Sequence, residues 1–355
     1  KATHPVIPKF YMPPYSYIIS PTRPTPSWSC VLSYLVLVAI LTGVYFSSVG
    51  ALGLSIHDAE MFRDHERISR NFSFFFSEDR EQITGRPVAE LVKWLLYAAY
   101  GKDPSFFHFA VVALHAVASA LLAFVGWSMG ATAVVAAAAG LLFLFNTSHF
   151  QAVHHISALD YPLALIWTLL AVLFYLRVLH NDAPGDKIGY TLCLIFGLFT
   201  HIATISVLPF CAYVSLIAEG SAKKKYRHIL LFAGLALPAL AASLYLTPDD
   251  TTTQRALGNL EAGGLLIGAT ELFATLLDLI GRLAATAHWL PYAPDNYSLW
   301  IQVLGGALLV PLLTVVVTRH HRLASLAAAW TLIFLVPFVF SSSAAATGPR
   351  YLYWA

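Results

Sequence analysis

Two acidic side chains stand where they can act on a substrate at the edge of a membrane. Asp58 and Glu60 follow the first long apolar run of the chain, 31–54, by only a few residues. A carboxylate at this place faces water close to the membrane plane, and it can serve as a general base for a hydroxyl group. We take Asp58 as the first candidate and Glu60 as a weaker substitute. The alternative for Asp58 is an ordinary solvated carboxylate or a helix N-cap.

Two arginines are candidates for binding an anionic group on the same side. Arg86 and Arg350 both fall at the predicted outer edge of a helix. The guanidinium fork fits a phosphate better than a lysine ammonium does. Asp160 lies near the outer end of another apolar run, where an ionisable group is costly unless it pairs or works, so it is a candidate for positioning substrate. Snorkelling of the arginines, and a structural hydrogen bond that Asp160 accepts from His154 or His155, explain these residues equally well.

The histidines do not form a recognisable metal motif. Five of them are candidates by proximity to the acidic residues: His57, His65, His149, His154 and His155. Neither an HExxH pattern nor a paired acidic ligand accompanies them, so we predict no metal site and no cofactor; a divalent cation is not indicated. His108 and His115 lie seven residues apart, on one face of a helix, and we expect them to form hydrogen bonds in the core.

The composition explains where these residues must lie. Hydrophobic residues form 58% of the 355 and charged residues 11%, and the mean hydropathy is +0.67, which excludes an ordinary soluble domain. The net charge of +2 gives no basic field, so nucleic-acid binding is disfavoured. A helical crossing needs roughly 20 apolar residues. About nine runs approach this length, and we predict an all-α polytopic membrane protein: 31–54, 106–127, 131–148, 157–179, 188–201, 203–218, 228–247, 299–318 and 322–341.

Basic residues in short loops predict the orientation. The loops predicted to be cytoplasmic carry Lys223, Lys224, Lys225 and Arg227, then Arg319 and Arg322, then Arg177 and Lys187. Alternation then puts the polar stretches 55–104 and 248–298 outside. The proline-rich residues 1–30 are predicted to form an arm that is unstructured or lies on the surface, and 31–355 a single membrane domain.

Two segments are predicted to lie in the membrane interface rather than to cross. Val88–Tyr100 places Leu91, Leu95, Ala98 and Ala99 on one apolar face. The second segment, 265–290, is apolar enough to cross, but a crossing there would invert the helices that follow. Its polar face, formed by Glu271, Asp278 and Arg282, favours a re-entrant or interfacial helix.

A series of short motifs, each unspecific alone, resembles one superfamily in its order and placement. The motifs are Ser55-Ile56-His57-Asp58, Gly85-Arg86-Pro87, Tyr100-Gly101-Lys102-Asp103-Pro104, His108 with His115, His149-Phe150-Gln151-Ala152-Val153, Ile156-Ser157 with Asp160, Val207-Leu208-Pro209 and Arg350-Tyr351-Leu352-Tyr353. Together they resemble the protein O-mannosyltransferases of bacteria and eukaryotes, including the transmembrane, tetratricopeptide-containing group. These enzymes belong to the C-type membrane glycosyltransferases (GT-C), and the resemblance covers about 55 to 353.

The resemblance implies a function and a set of partners. It implies a GT-C-like helical bundle that transfers a sugar, with inversion, from a polyprenyl-phosphate carrier to a protein, lipid or glycan acceptor outside the cytoplasm. Asp58 then corresponds to the acidic catalytic position, although His57 breaks the acidic pair usual in the family. Arg86, Arg350, Asp160, His149 and Gln151 are the residues expected to bind substrate or phosphate. The alanine content and the three cysteines lean toward a bacterial inner membrane.

Departures from the family pattern keep a second hypothesis open. Gln151 stands where a glutamate is usual, and His201-Ile202 stand where a Lys-Glu pair is usual. These changes favour a descendant of the fold that has lost activity and serves as a structural subunit of a membrane complex. In that case residues 1–30 are candidates for wrapping a partner membrane protein. Asp58 favours the enzyme.

Overall fold

The computed structural model describes most of the chain between residues 27 and 354. The described residues are 27–48, 52, 56–77, 79–80, 86–146, 149–218, 230, 232–234, 236–242, 270, 272–284, 296–319, 321–341 and 353–354. Within these ranges all regular secondary structure is helical and no strand occurs, which confirms the all-α prediction. The predicted arm 1–30 lies outside the described residues except for its last four positions.

Eleven α-helices have bounds within the described ranges. They are α1 Trp28–Tyr45, α2 Ile56–Arg70, α3 Pro87–Tyr100, α4 Pro104–Ser128, α5 Ala133–Leu144, α6 Phe150–His154, α7 Asp160–Asn181, α8 Pro184–Thr200, α9 Val207–Ile217, α10 Asn296–Thr318 and α11 Arg322–Ser341. Three short 3-10 helices, Phe72–Phe76, Ile156–Leu159 and Ile202–Ser206, join α2 to α3, α6 to α7 and α8 to α9. Residues 272–284 are also helical.

Local sequence signals account for several helix ends. The Asp103 carboxylate accepts a hydrogen bond from the Ser105 amide at 2.9 Å, and Pro104 begins α4 with no amide to satisfy. The helix before it, α3, ends at Gly101, whose φ of 67° favours glycine. The connection between α3 and α4 is therefore only three residues long, 101–103.

Five helical segments among the described residues are long and apolar enough to cross a membrane. They are Trp28–Tyr45, Pro104–Ser128, Ile156–Asn181, Leu299–Thr318 and Arg322–Val339. The predicted run 131–148 is shorter than expected, because its helix spans 12 residues, Ala133–Leu144, about 18 Å at 1.5 Å per residue. The chain is therefore a helical membrane protein by these segments, and the total of about nine crossings stays a prediction.

The most buried helix, α7, lies at the centre of the bundle. It packs against α8 and α4 and also contacts α9. Its buried positions fall on nearly every side of the helix, in contrast to the largely exposed α1. Because α7 begins at Asp160, the packing of this central helix fixes the position of a candidate site residue.

The helix at 272–284 lies within the segment predicted to be re-entrant or interfacial, and that placement stays a prediction. Asp278 is buried, and its carboxylate pairs with Arg282 at 2.7 Å, so this part of the predicted polar face points into the protein. Glu271 lies outside the described residues. A Cβ atom at Gly281 would overlap the Ile301 carbonyl of α10, and one at Gly305 would overlap the Leu277 carbonyl. Two glycines thus allow the backbones of the two helices to touch.

We expect Gly305→Ala to destabilise the protein by about 1–3 kcal/mol, because the added methyl group must displace the backbone of the facing helix. The next residue provides a matched control, since a Cβ at Gly306 would meet nothing within 4 Å. Gly306→Ala should be neutral or slightly stabilising, as alanine is the better helix former. Thermal unfolding of both variants in detergent measures the difference; equal midpoints would contradict the close contact.

Candidate functional site

Asp58 connects the start of α2 to the turn that precedes α7. It is buried, and its Oδ1 atom accepts a hydrogen bond from the Ser157 amide at 2.9 Å. Ser157 belongs to the 3-10 helix Ile156–Leu159, whose own N-cap residue, His155, supplies no side-chain hydrogen bond. Asp58 therefore satisfies a backbone donor of a segment 99 residues away. It caps a different helix from its own.

Arg86 and Asp160 form an ion pair across 74 residues of sequence. Asp160 is buried at the N-terminus of α7, where a negative charge is favoured by the helix dipole. Arg86 directly precedes Pro87, the first residue of α3, and its side chain is 31% exposed. The sequence left two explanations open for Asp160, a role in positioning substrate and a structural hydrogen bond. The structure shows an ion-pair partner that the sequence did not indicate. The partner is a residue predicted to bind phosphate.

Three predicted site residues therefore meet at one short segment. Asp58 contacts residue 157 in the connection between α6 and α7, and Arg86 contacts residue 160, the first residue of α7. Glu60, the weaker candidate, lies on α2 at intermediate exposure. The backbone of Gln151 is in α6, but its side chain and the whole of Arg350 lie outside the described residues.

His149 lies in a buried cluster of rings beside this region. Its ring centroid is 5.6 Å from His115, 4.4 Å from Phe143 and 4.8 Å from Tyr353. The His149 Nδ1 atom lies 3.1 Å from the Phe143 carbonyl, so Nδ1 carries the proton. Tyr353 follows Arg350 by three residues, so the end of that motif packs against His149.

His115 forms the hydrogen bonds in the core that its position suggested. Its Nε2 atom lies 3.1 Å from the Leu144 carbonyl and must donate, which leaves Nδ1 to accept from the Tyr353 hydroxyl at 2.8 Å. This arrangement fixes a single neutral tautomer. The ring therefore ties α4 to the end of α5 and to Tyr353.

A buried network of charges joins α2 to α3, and sequence reasoning missed it. The Glu90 carboxylate lies 2.7 Å from Arg80, 3.5 Å from Lys93 and 3.9 Å from His65. A longer contact of 3.8 Å joins Arg80 to Asp64. Burial lowers the pKa of His65, so the ring is neutral at pH 7 and two carboxylates face two cations. The sequence did contain one indication of this network, because Glu90 and Lys93 lie on the face of α3 opposite the apolar residues Leu91 and Leu95.

The network predicts a loss of stability in acid. Burial alone would raise the pKa of Glu90, but Lys93, His65 and Arg80 outweigh it and hold that pKa well below its usual range. A lowered folded-state pKa stabilises the protein above the unfolded value of about 4.3, and this contribution is lost as the pH falls below it.

We expect Glu90→Gln to destabilise the protein by about 3 kcal/mol at pH 7, because two buried cations lose their partner. The gap between the variant and the unchanged protein should narrow below about pH 4, where the unfolded carboxyl is protonated. The measurement is the difference in unfolding midpoint between the two proteins at pH 7 and at pH 3.5. The effects of other carboxylates cancel in this difference because both proteins contain them. A gap that widens in acid would contradict the arrangement.

The site offers acid–base and anion-binding groups. Among the residues with described positions, no group of three or more His, Cys, Asp or Glu side chains is placed to hold a metal ion. A buried carboxylate, a partly exposed guanidinium and the carboxylate that positions it are the chemical groups at hand. Together they can accept a proton and offset the charge of a phosphate.

Comparison with known proteins adds no relative from which to transfer a role. No protein-family model matches the chain, and neither a curated protein nor a solved structure shows significant similarity to it.

Proposed function

We propose that this chain is an integral membrane glycosyltransferase of the GT-C type, which moves a sugar from a polyprenyl-phosphate donor to an acceptor outside the cytoplasm. The observation that carries the proposal is the convergence of Asp58, Arg86 and Asp160 on residues 157–160. A base and a phosphate-binding cation are the two groups that such a transfer needs from the protein. The setting is a bacterial inner membrane.

The proposed reaction is a single displacement with inversion at the sugar. Asp58 accepts the proton of the acceptor hydroxyl as the acceptor oxygen attacks the anomeric carbon. The bond between that carbon and the phosphate oxygen breaks, and polyprenyl phosphate leaves with the electron pair. Arg86, held by Asp160, offsets the negative charge that develops on the phosphate. Arg350 is the proposed second cation, and His149 and Gln151 line the substrate site. The proposed reaction assigns no role to a cofactor.

A donor assay tests this function directly. The purified protein is placed in proteoliposomes with polyprenyl-phosphate mannose or glucose that carries a radiolabelled sugar, and a serine- and threonine-containing peptide is supplied as acceptor. We expect label to move from the lipid to the peptide, with one polyprenyl phosphate formed per sugar transferred. If neither donor loses its sugar to peptide or to water, the proposal fails.

The second candidate function is a structural subunit of a larger membrane complex, derived from the same fold. Two observations favour it: Asp58 acts as a cap for another segment, and the His201 Nδ1 accepts a hydrogen bond from the Ala203 amide at 3.1 Å, so His201 caps a helix where the family has a charged pair. Gentle detergent extraction separates the two functions. An assembly of fixed stoichiometry without donor turnover supports the subunit, and an active monomer supports the enzyme.

A further inference from the structure

The end of α9 meets the turn between α10 and α11. Arg322, the first residue of α11, donates from Nη2 to the Ile217 carbonyl at the end of α9, at 2.6 Å. The Tyr213 hydroxyl of α9 donates to the Val316 carbonyl of α10 at 3.1 Å and contacts the Ser325 hydroxyl of α11. Both carbonyls lie in the last turn of a helix, where intrahelical partners are missing. These side chains therefore hold the ends of three helices together.

These three helix ends lie on the opposite side of the membrane from the candidate functional site. The central helix α7 begins at Asp160, and its residue Tyr175 contacts the Ser215 hydroxyl near the end of α9. Tyr175 is 15 residues beyond Asp160, about 22 Å along an α-helix, and the hydrocarbon core of a bilayer is about 30 Å thick. The turn between α10 and α11 is therefore in the other leaflet, on the side predicted to be cytoplasmic.

This turn carries positive charge that its own helices do not balance. Arg319 and His321 are exposed and Arg322 is half-buried. The sequences of α9, α10 and α11 contain no aspartate or glutamate. The Arg319 guanidinium lies over the Tyr213 ring, 6.0 Å from its centroid, so the ring of α9 and the turn form one surface. We call these four residues the basic junction: Tyr213, Arg319, His321 and Arg322.

The backbone of Arg319 adopts a conformation that favours glycine. Its φ is 55°, in the left-handed region, and its amide donates to the Val315 carbonyl at 3.1 Å, which closes the end of α10. The Cβ atom of an ordinary residue crowds the backbone at such a φ, and glycine avoids this cost. An arginine at a position where glycine is more stable indicates that the guanidinium itself is used.

We propose that the basic junction binds the phosphate of an anionic phospholipid in the leaflet opposite the candidate functional site. Guanidinium groups present paired N–H donors to phosphate oxygens, and basic pockets between membrane helices suit such headgroups. Exposed apolar residues flank the turn, since Val317 is 74% and Leu323 is 39% exposed. These side chains can contact the acyl chains of the same molecule, which favours a lipid over a soluble anion. The proposal does not depend on any catalytic activity of the chain.

Lipid binding to the whole protein in a neutral detergent tests this site. Native mass spectrometry gives the affinities for anionic phosphatidylglycerol and for zwitterionic phosphatidylcholine, and inorganic phosphate is added as a competitor in a separate series. The variants are Arg319→Gly, which removes the cation, and Arg319→Lys, which keeps the charge. The matched control is Lys187→Gln in the turn between α7 and α8, on the same side of the membrane. Lys187 pairs with Asp182 at 2.8 Å and lies outside the basic junction.

We expect phosphatidylglycerol to bind more tightly than phosphatidylcholine, and Arg319→Gly to weaken the binding of phosphatidylglycerol about five-fold, the effect of one basic residue near a membrane surface. Arg319→Gly should unfold at the same or a higher temperature, because glycine suits the backbone at this position, so weaker binding would not reflect a loss of fold. Arg319→Lys and Lys187→Gln should bind phosphatidylglycerol nearly as tightly as the unchanged protein does.

Three results would overturn the proposal. The first is equal affinity for the two lipids, or an affinity for phosphatidylglycerol that Arg319→Gly leaves unchanged. The second is a loss in Lys187→Gln as large as that in Arg319→Gly, which would show a general effect of charge rather than a site. The third is displacement of phosphatidylglycerol by inorganic phosphate at the same concentration, which would assign the basic junction to a soluble anion.

Discussion

Asp58→Asn is expected to lower sugar transfer by about 10²- to 10⁴-fold, the contribution typical of a general base. The substitution suits the structure, because the asparagine carbonyl oxygen can still accept the hydrogen bond that Asp58 accepts from the Ser157 amide. The cap is kept while the ability to take a proton is lost. The measurement is the initial rate of transfer from polyprenyl-phosphate mannose in proteoliposomes, with the unfolding midpoint recorded for the same preparation.

The matched control for Asp58 is Glu60→Gln, two residues further along α2. Glu60 is only partly buried, and we expect this variant to keep most of its activity. A large loss in Glu60→Gln together with normal rates in Asp58→Asn would move the base to Glu60. If Asp58→Asn instead unfolds at a markedly lower temperature, Asp58 has a structural role. This result would favour the second candidate function, a structural subunit.

Arg86→Gln is expected to destabilise the protein by about 3 kcal/mol, because it leaves the buried Asp160 carboxylate without its cation. The double variant Arg86→Gln with Asp160→Asn should recover much of this loss, since two amides of similar shape can hydrogen bond and no buried charge remains. The unfolding midpoints of the two single variants and the double variant give the coupling energy. Strictly additive losses would show that the two side chains do not interact.

The same variants separate a structural role of Arg86 from phosphate binding. If Arg86 meets the donor phosphate, the double variant is stable again but transfers poorly, because the neutral amide cannot offset the charge of the leaving phosphate. Full recovery of both stability and transfer would leave Arg86 with a structural role only. The double-mutant cycle therefore distinguishes a purely structural role of Arg86 from a role in binding the donor phosphate.

The long apolar helices could be predicted from sequence because their length and end signals are local. The expected run 106–127 corresponds to α4, Pro104–Ser128, whose start is visible in the Asp103-Pro104 pair. Similarly, 157–179 corresponds to α7, Asp160–Asn181. Such elements are determined by hydropathy and capping within one segment, and neither requires knowledge of the neighbours.

The contacts of the site could not be predicted, because they join residues that are distant in sequence. Nothing in the residues around Arg86 indicates Asp160, and nothing around Asp58 indicates the Ser157 amide. The sequence also did not determine which face of α3 packs against the rest of the protein. Its apolar side was identified, but whether Glu90 faced water or a buried partner depended on the placement of Arg80.

The short connection between α6 and α7 has a consequence for how substrate would be held. Asp58 and Arg86 each make a contact with residues 157–160, so the position of this stretch affects both side chains. These contacts also link α2 and the start of α3 to the start of α7, so a displacement of either helix would have to break a buried hydrogen bond or an ion pair. If the proposed function holds, the base and the guanidinium keep their spacing only while both of these contacts persist.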